Sequence, residues 1–298
     1  MPHLFSTLKS KVLKHIQRDT LKSIVKASIG SKTYLWGIKQ PPNHLEICVV
    51  IALYKDMFGK SYSELLPSIK KFLPTSKKTL NHNQHVLRKE FGKWGEQQLQ
   101  LGGLSNWRRV SKKYLPTLKN CPHLLMDSTD FRKSGKNSLS RKDSEWSYKC
   151  NGPGRRYMAI VDVSGCPRAL FGGYSPKLYD AHWIEVKKPW IEKNLSGATV
   201  YADCHFTSAI PLLKNVNLVT PTPKPRGQKK KNSLKQNDLQ PDTIKKNKQI
   251  SKVRSRVEQP FGLMQSKFKA LSQVFYEDND QLDGLVKLAA GVIAFEKE

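Results

Sequence analysis

Three carboxylates stand in settings that suit chemistry: Asp127 in LLMDST, Asp203 in VYADCHF and Glu258 in RSRVEQPFG. The first two end short apolar runs that read as buried strands, and the third lies in a stretch of helical periodicity. Brought to one point without a cation, three carboxylates would repel and raise one another's pKa. Divalent cations remove that conflict, because Mg2+ takes hard oxygen ligands and completes its shell with water and substrate phosphate. Two such ions about 4 Å apart serve phosphodiester chemistry, one activating water or a 3′-hydroxyl and the other stabilising the leaving oxygen. The expected site is therefore Asp127, Asp203 and Glu258, each both catalytic and metal-binding. It would hold two Mg2+ ions, with Mn2+ able to substitute.

The bulk of the chain favours a phosphate-rich partner. Its 298 residues carry 52 Lys and Arg against 24 Asp and Glu, a net charge of +28. Such a surface works against compactness through self-repulsion, and its usual use is to neutralise phosphates and release their counterions. An enzyme of small metabolites has no need of it. Lys149, Arg155 and Arg156 precede an apolar run and are candidates to hold a DNA backbone. Arg254 lies four residues before Glu258, on the same helical face, where it can pair with the carboxylate or grip a phosphate. Arg256, Lys267 and Lys269 fit a solvated helix face equally well. Residues 224–248 hold nine Lys and Arg, Lys229, Lys230 and Lys231 among them, with Pro225, Gly227 and Pro241. They read as a mobile basic loop on a phosphate backbone, as a nuclear import signal, or as a solvated charge run.

Those residues need a scaffold. Residues 1–120 carry helical patterns and no strand-like run, which makes them an all-α region. Within it, Ser61-x-x-Glu64 resembles a capping box, and Ser76 can cap a helix over 77–91. Two short helices joined by a turn fit a helix-turn-helix whose second helix reads DNA through Asn81, Asn83, Gln84 and Arg88. A helical bundle with a solvated polar face is the other reading. From residue 122 the pattern becomes α/β. Strands are predicted at 123–126, 157–163, 168–174, 199–202 and 216–219, and a helix at 180–195 in which Pro189 predicts a kink or a restart. A short helix capped by Thr207 or Ser208 follows the fourth strand. The closing pattern of Ile250, Val253, Val257, Phe261, Met264, Phe268 and Leu271 is helical, and Pro260 predicts a break near Glu258. A last helix covers 281–295. This order implies a mixed five-stranded sheet flanked by helices, the ribonuclease H-like arrangement, over residues 121–298.

In their order, the segments MDST, YMAIVDVSG, VYADCHFTSA and RSRVEQPFG resemble the catalytic domain of DDE transposases, over residues 122–275. The likeness is to the insertion-sequence type, with a short insertion and a final Arg-x-x-x-Glu motif. It implies that Asp127, Asp203 and Glu258 form the metal-binding triad and that Arg254 is the arginine before the glutamate. It also implies a protein that cuts and strand-transfers the ends of its own mobile element. The implied partners are double-stranded DNA, both terminal repeats and target, and at least one further copy of the chain. Ser251 and Gln265 stand where the bacterial signature often has Tyr and Lys, and Lys267 is the candidate replacement for the lysine.

Other readings stay open. Asp130 and Asp162 compete for the first acidic position. Zinc would need Cys121 with His123 or Cys204 with His205, neither of which has the usual ligand gap, or His82 with His85, which have no cysteine partner nearby. A domesticated relative that binds DNA without turnover and a structure-selective nuclease share the same fold. Five cysteines without a CxxC spacing suit a reducing compartment. The apolar run 47–54 is far short of a membrane span, and the N-terminus has no secretory leader pattern. The expected location is with DNA, in the nucleoid or cytoplasm of a bacterium or archaeon, or in a nucleus.

Overall fold

In the computed structural model, residues 2–36, 44–100, 102–116, 122–135, 141–223 and 240–298 are described. Apolar side chains alternate along β1 (His123–Arg132), so this strand feeds two cores. Leu124 and Met126 pack with Met158, Ile160, Val200, Trp183 and Ile184. Leu125 and Phe131 face the other way, with Ala159, Val161, Val257, Phe261 and Leu285. The sheet is completed by β2 (Trp146–Ser147), β3 (Gly152–Asp162), β4 (Pro167–Tyr174), β5 (Thr199–Tyr201) and β6 (Asn217–Val219). β3 runs antiparallel between β1 and β4, and β5 runs parallel between β1 and β6. This is the mixed ribonuclease H-like sheet expected from the sequence, with the two-residue β2 as an unpredicted sixth strand.

Several predicted elements shift. β1 does not end at Asp127 but continues to Arg132, because Phe131 is buried beside Tyr157. The polar run Asp127-Ser128-Thr129 hid that continuation. The helix α7 (Asp180–Asn194) runs through Pro189 unbroken. Pro189 is exposed, as is Glu185 four residues earlier, so water can satisfy the freed carbonyl. The segment after β5 is a 3-10 turn, Cys204–Leu212, capped by Asp203 rather than by Thr207 or Ser208. Of the basic loop expected at 224–248, residues 224–239 lie outside the described residues, and 241–248 belong to a helix, α8 (Pro241–Arg254), with Pro241 at its first turn. Lys229, Lys230 and Lys231 lie outside the described residues. The predicted break near Glu258 is present as a 3-10 turn, Ser255–Val257, ahead of α9 (Glu258–Lys267).

α7 and the 3-10 turn cover one face of the sheet. The other face is covered by α8, α9 and α10 (Asn279–Lys297) together with N-terminal helices. These are α1 (Pro2–Val12), α2 (Arg18–Ala27), α3 (His44–Phe58) and α5 (Lys77–Gln98), while α4 (Tyr62–Ile69) packs on α3 and α5 in a smaller cluster and α6 (Leu104–Tyr114) buries Trp107 in the core of the first face. Ser61 and Ser76 cap α4 and α5 through the Glu64 and Thr79 amides, as their spacing predicts. α5 lies against α10 so closely that glycine is required at the crossing. A Cβ on Gly95 would sit 2.1 Å from the Lys287 carbonyl oxygen, and one on Gly291 would sit 2.4 Å from the Gly95 Cα. Gly95→Ala therefore forces the helices apart, and the expected loss is about 1–3 kcal/mol, read as a lower urea midpoint. An unchanged midpoint would mean that the crossing is looser than this.

Of the four α5 residues read as DNA-contacting, Asn81 is exposed, but Asn83, Gln84 and Arg88 are packed inside. Arg88 is fully buried, with its guanidinium bonded to Asp56 and Glu277. Gln84 is buried between the Tyr62 hydroxyl and Asp56, and Asn83 exchanges hydrogen bonds with the Trp36 backbone at 2.8 and 3.1 Å. Polar side chains that satisfy one another can be buried as readily as apolar ones, so polarity misled the assignment of the face. The exposed side of α5 carries Lys78, Asn81, His85 and Lys89. Among the described residues no helix is long and apolar enough to cross a membrane.

Candidate active site

Asp127 owes its position to unequal strand lengths. β5 pairs with β1 only along His123, Leu124 and Leu125, so beyond these residues β1 has no partner on that side. β5 ends at Tyr201, and two residues later Asp203 turns the chain into the 3-10 segment. The two aspartates thus meet at the open edge. Arg254, the last residue of α8, reaches in from the helical layer: its Nη1 lies 3.1 Å from Asp127 Oδ2 and 3.8 Å from Asp203 Oδ2. One guanidinium therefore bridges both carboxylates.

The two acids differ in environment. Asp127 accepts the Ser128 amide at 2.8 Å, and Lys149 anchors nearby, its Nζ donating to the Ser128 carbonyl at 2.6 Å. Burial pushes the Asp127 carboxyl up, and the Ser128 amide, Lys149 and Arg254 only partly offset this. Burial acts upward on Asp203 too. There, the Cys204 thiol, the His205 amide and Arg254 outweigh it, and the carboxyl sits below its ordinary range. An environment that raises one acid and lowers its neighbour is common where carboxylates do chemistry.

A family model described as DDE superfamily endonuclease matches residues 126–293, more than half of the chain and the whole of this site. The chain belongs to the DDE superfamily endonucleases. No curated protein and no solved structure matches it significantly. The family's nuclease and transposase-type chemistry makes DNA the substrate, and it generally uses divalent metals.

The donor set of this endonuclease fits such a metal at two of three positions. Asp127 and Asp203 are hard oxygen donors already sharing one cation, the Arg254 guanidinium. Glu258 is not in that cluster. It is exposed at the first residue of α9, and among the described residues no hydrogen bond or ion pair engages it. Arg254 and Glu258 each follow a buried valine, Val253 and Val257, and the 3-10 turn Ser255–Val257 separates them. Among the described residues, the group of ligand atoms within 4.8 Å of one another is Asp203, Cys204 and His205. The Cys204 thiol hydrogen-bonds Asp203, which pushes its pKa up, and zinc requires the thiolate. Cys121 lies outside the described residues.

The competing acids are spoken for. Asp162 is buried and accepts from Ser164, the Cys166 amide and Arg168, so it builds the β3–β4 turn. Asp130 is buried against Ser147 and Arg156. The cations divide likewise. Arg156 pairs with Asp130 at 2.8 Å and donates to the Leu178 carbonyl, and Arg155 pairs with Asp283 at 2.9 Å. Both are held by the fold rather than presented to a backbone, and both lie within β3 rather than before it. Lys267 pairs with Glu296 at 2.8 Å, so it does not replace the missing lysine. Lys149 alone of the three predicted phosphate contacts stands exposed beside Asp127. The sequence offered no signal for Asp180, whose carboxylate accepts the Ser128 hydroxyl at 2.9 Å and ties α7 to β1 behind the site.

Proposed function

We propose that this endonuclease is a DNA transposase, cutting and strand-transferring the ends of its own mobile element by two-metal-ion chemistry. The observation that carries the reading is the pairing of Asp127 and Asp203 around a single cation at an open sheet edge. Two divalent ions, Mg2+ with Mn2+ as substitute, would be held by these aspartates and by Glu258, supplying Lewis acidity and an activated water or 3′-hydroxyl. The chain's own groups set up that chemistry. Arg254 offsets part of the aspartate pair's charge and would meet an incoming phosphate. Lys149 adds positive charge at the same edge. The exposed side of α5, with Lys78, Asn81, His85 and Lys89, would read or hold the terminal repeat. Two copies would pair the two ends.

The test incubates purified protein with DNA bearing the gene's own genomic borders, with Mg2+, Mn2+ or chelator. Cleavage at the borders that requires the metal and yields joined products supports the proposal; border binding without cleavage in either metal overturns it. One observation favours a second reading, a DNA-binding protein without turnover: Glu258 is exposed, and among the described residues it has no ion pair with Arg254 or any other group. In both readings the α5 side contacts phosphate. Changing Lys78 and Lys89 together to Gln should lower the slope of log affinity against log salt by about 1.8. An unaltered slope would remove α5 from the interface.

A further inference from the structure

The hairpin turn joining β2 to β3 carries an exposed ring that the fold does not use. Tyr148 is the first residue of this turn, and the turn closes on Asn151 with φ +46°, a left-handed conformation that Asn tolerates. The ring is 70% exposed, so it contributes little to any core. Yet the backbone beneath it is fixed on both sides. Ser147, before it, is buried and donates to Asp130 at 2.6 Å, while also accepting the Cys150 amide at 3.0 Å. Lys149, after it, donates to the Ser128 carbonyl at 2.6 Å. Both anchors lie on β1, one and three residues beyond Asp127.

The ring is also oriented. Lys177 places its Nζ 4.7 Å from the Tyr148 ring centroid, and the same ammonium is held by the Arg141 carbonyl at 2.5 Å. A cation over one face leaves the other available. The next residue, Lys149, is exposed and anchored one residue from Asp127, so the ring is flanked by Lys177 and by a lysine that reaches the strand carrying Asp127. An aromatic face set among cations is how proteins hold unpaired nucleic acid strands: phosphates take the charges and a base takes the ring.

We propose that Tyr148 is a stacking platform for an unpaired nucleobase of the strand whose phosphate lies at Asp127 and Asp203. The proposal rests on the reading of this site as a DNA-cutting centre. Lys177 sets the plane of the ring, Lys149 takes the adjoining phosphate, and the ring itself is sequence-tolerant because every base offers a π-face. The hydroxyl is not needed for stacking, so phenylalanine should serve as well as tyrosine, whereas serine should not.

Border DNA carrying 2-aminopurine at each position flanking the scissile phosphate tests this with the full chain. Wild-type protein, Tyr148→Phe and Tyr148→Ser are compared for aminopurine fluorescence, end affinity and cleavage, with thermal melts confirming equal folding. The expected result is quenching at one position with wild type and Tyr148→Phe, lost with Tyr148→Ser, and an affinity for frayed ends about 5- to 150-fold weaker in the serine variant. Affinity for fully paired DNA should change far less. Wild-type cleavage with identical quenching and affinity in all three proteins would overturn the platform while leaving the cutting centre intact. Absence of both binding and cleavage by wild type would overturn the cutting centre and the platform with it.

Discussion

Asp127→Asn and Asp203→Asn should each abolish border cleavage, by a factor on the order of a thousand or more, while leaving the protein folded. A divalent ion contributes several kcal/mol of charge stabilisation to the transition state, and each 1.4 kcal/mol is about tenfold in rate. Amide oxygens are poor substitutes for the lost charge. The fold should tolerate the change because neither acid holds elements together alone: Asp127 is half-buried in mid-strand and Asp203 caps a 3-10 turn, a role that Asn can also fill. Loss of cleavage with an unshifted melting temperature and unchanged border binding is the expected signature. Glu258→Gln extends the test. If Glu258 joins the aspartates once DNA is engaged, its loss is equally severe. If cleavage survives it, the third ligand is another residue. Normal cleavage by Asp127→Asn would sink the assignment of the site.

Arg88→Met should cost about 3–5 kcal/mol of stability and leave DNA affinity per folded molecule unchanged. The guanidinium and the Asp56 carboxylate are both fully buried, and removing the cation strands a charge where water cannot reach it. Glu277, also bonded to Arg88, retains Lys55 at 2.7 Å and is the less affected partner. Removing both charges with Asp56→Leu and Arg88→Met should recover most of the loss, since buried pairs are often replaceable by apolar residues of similar volume. Urea unfolding of the three proteins, paired with border binding at low temperature, separates the roles. A stable Arg88→Met protein with weakened DNA binding would restore Arg88 to the interface and contradict its burial.

The sequence determined more about the chemistry than about the surface. The positions of Asp127, Asp203 and Arg254, which the structure brings together, were legible because strands and helices with strong apolar periodicity flank them; Glu258, expected with them, stands exposed and unengaged among the described residues. Burial enforces that periodicity whatever the function. The order of elements along the chain followed from the same runs. The exposed face of α5 was not legible. Arg88, Gln84 and Asn83 read as a surface because polar residues usually are one, and only the partners Asp56, Tyr62 and Trp36, all distant in sequence, make burial affordable. Nor could spacing reveal that Arg155 and Arg156 are paired with Asp283 and Asp130, or that Lys267 is paired with Glu296. Local pattern reports which side of an element avoids water. Which charges neutralise one another depends on partners supplied by distant segments, and only the tertiary structure brings those together.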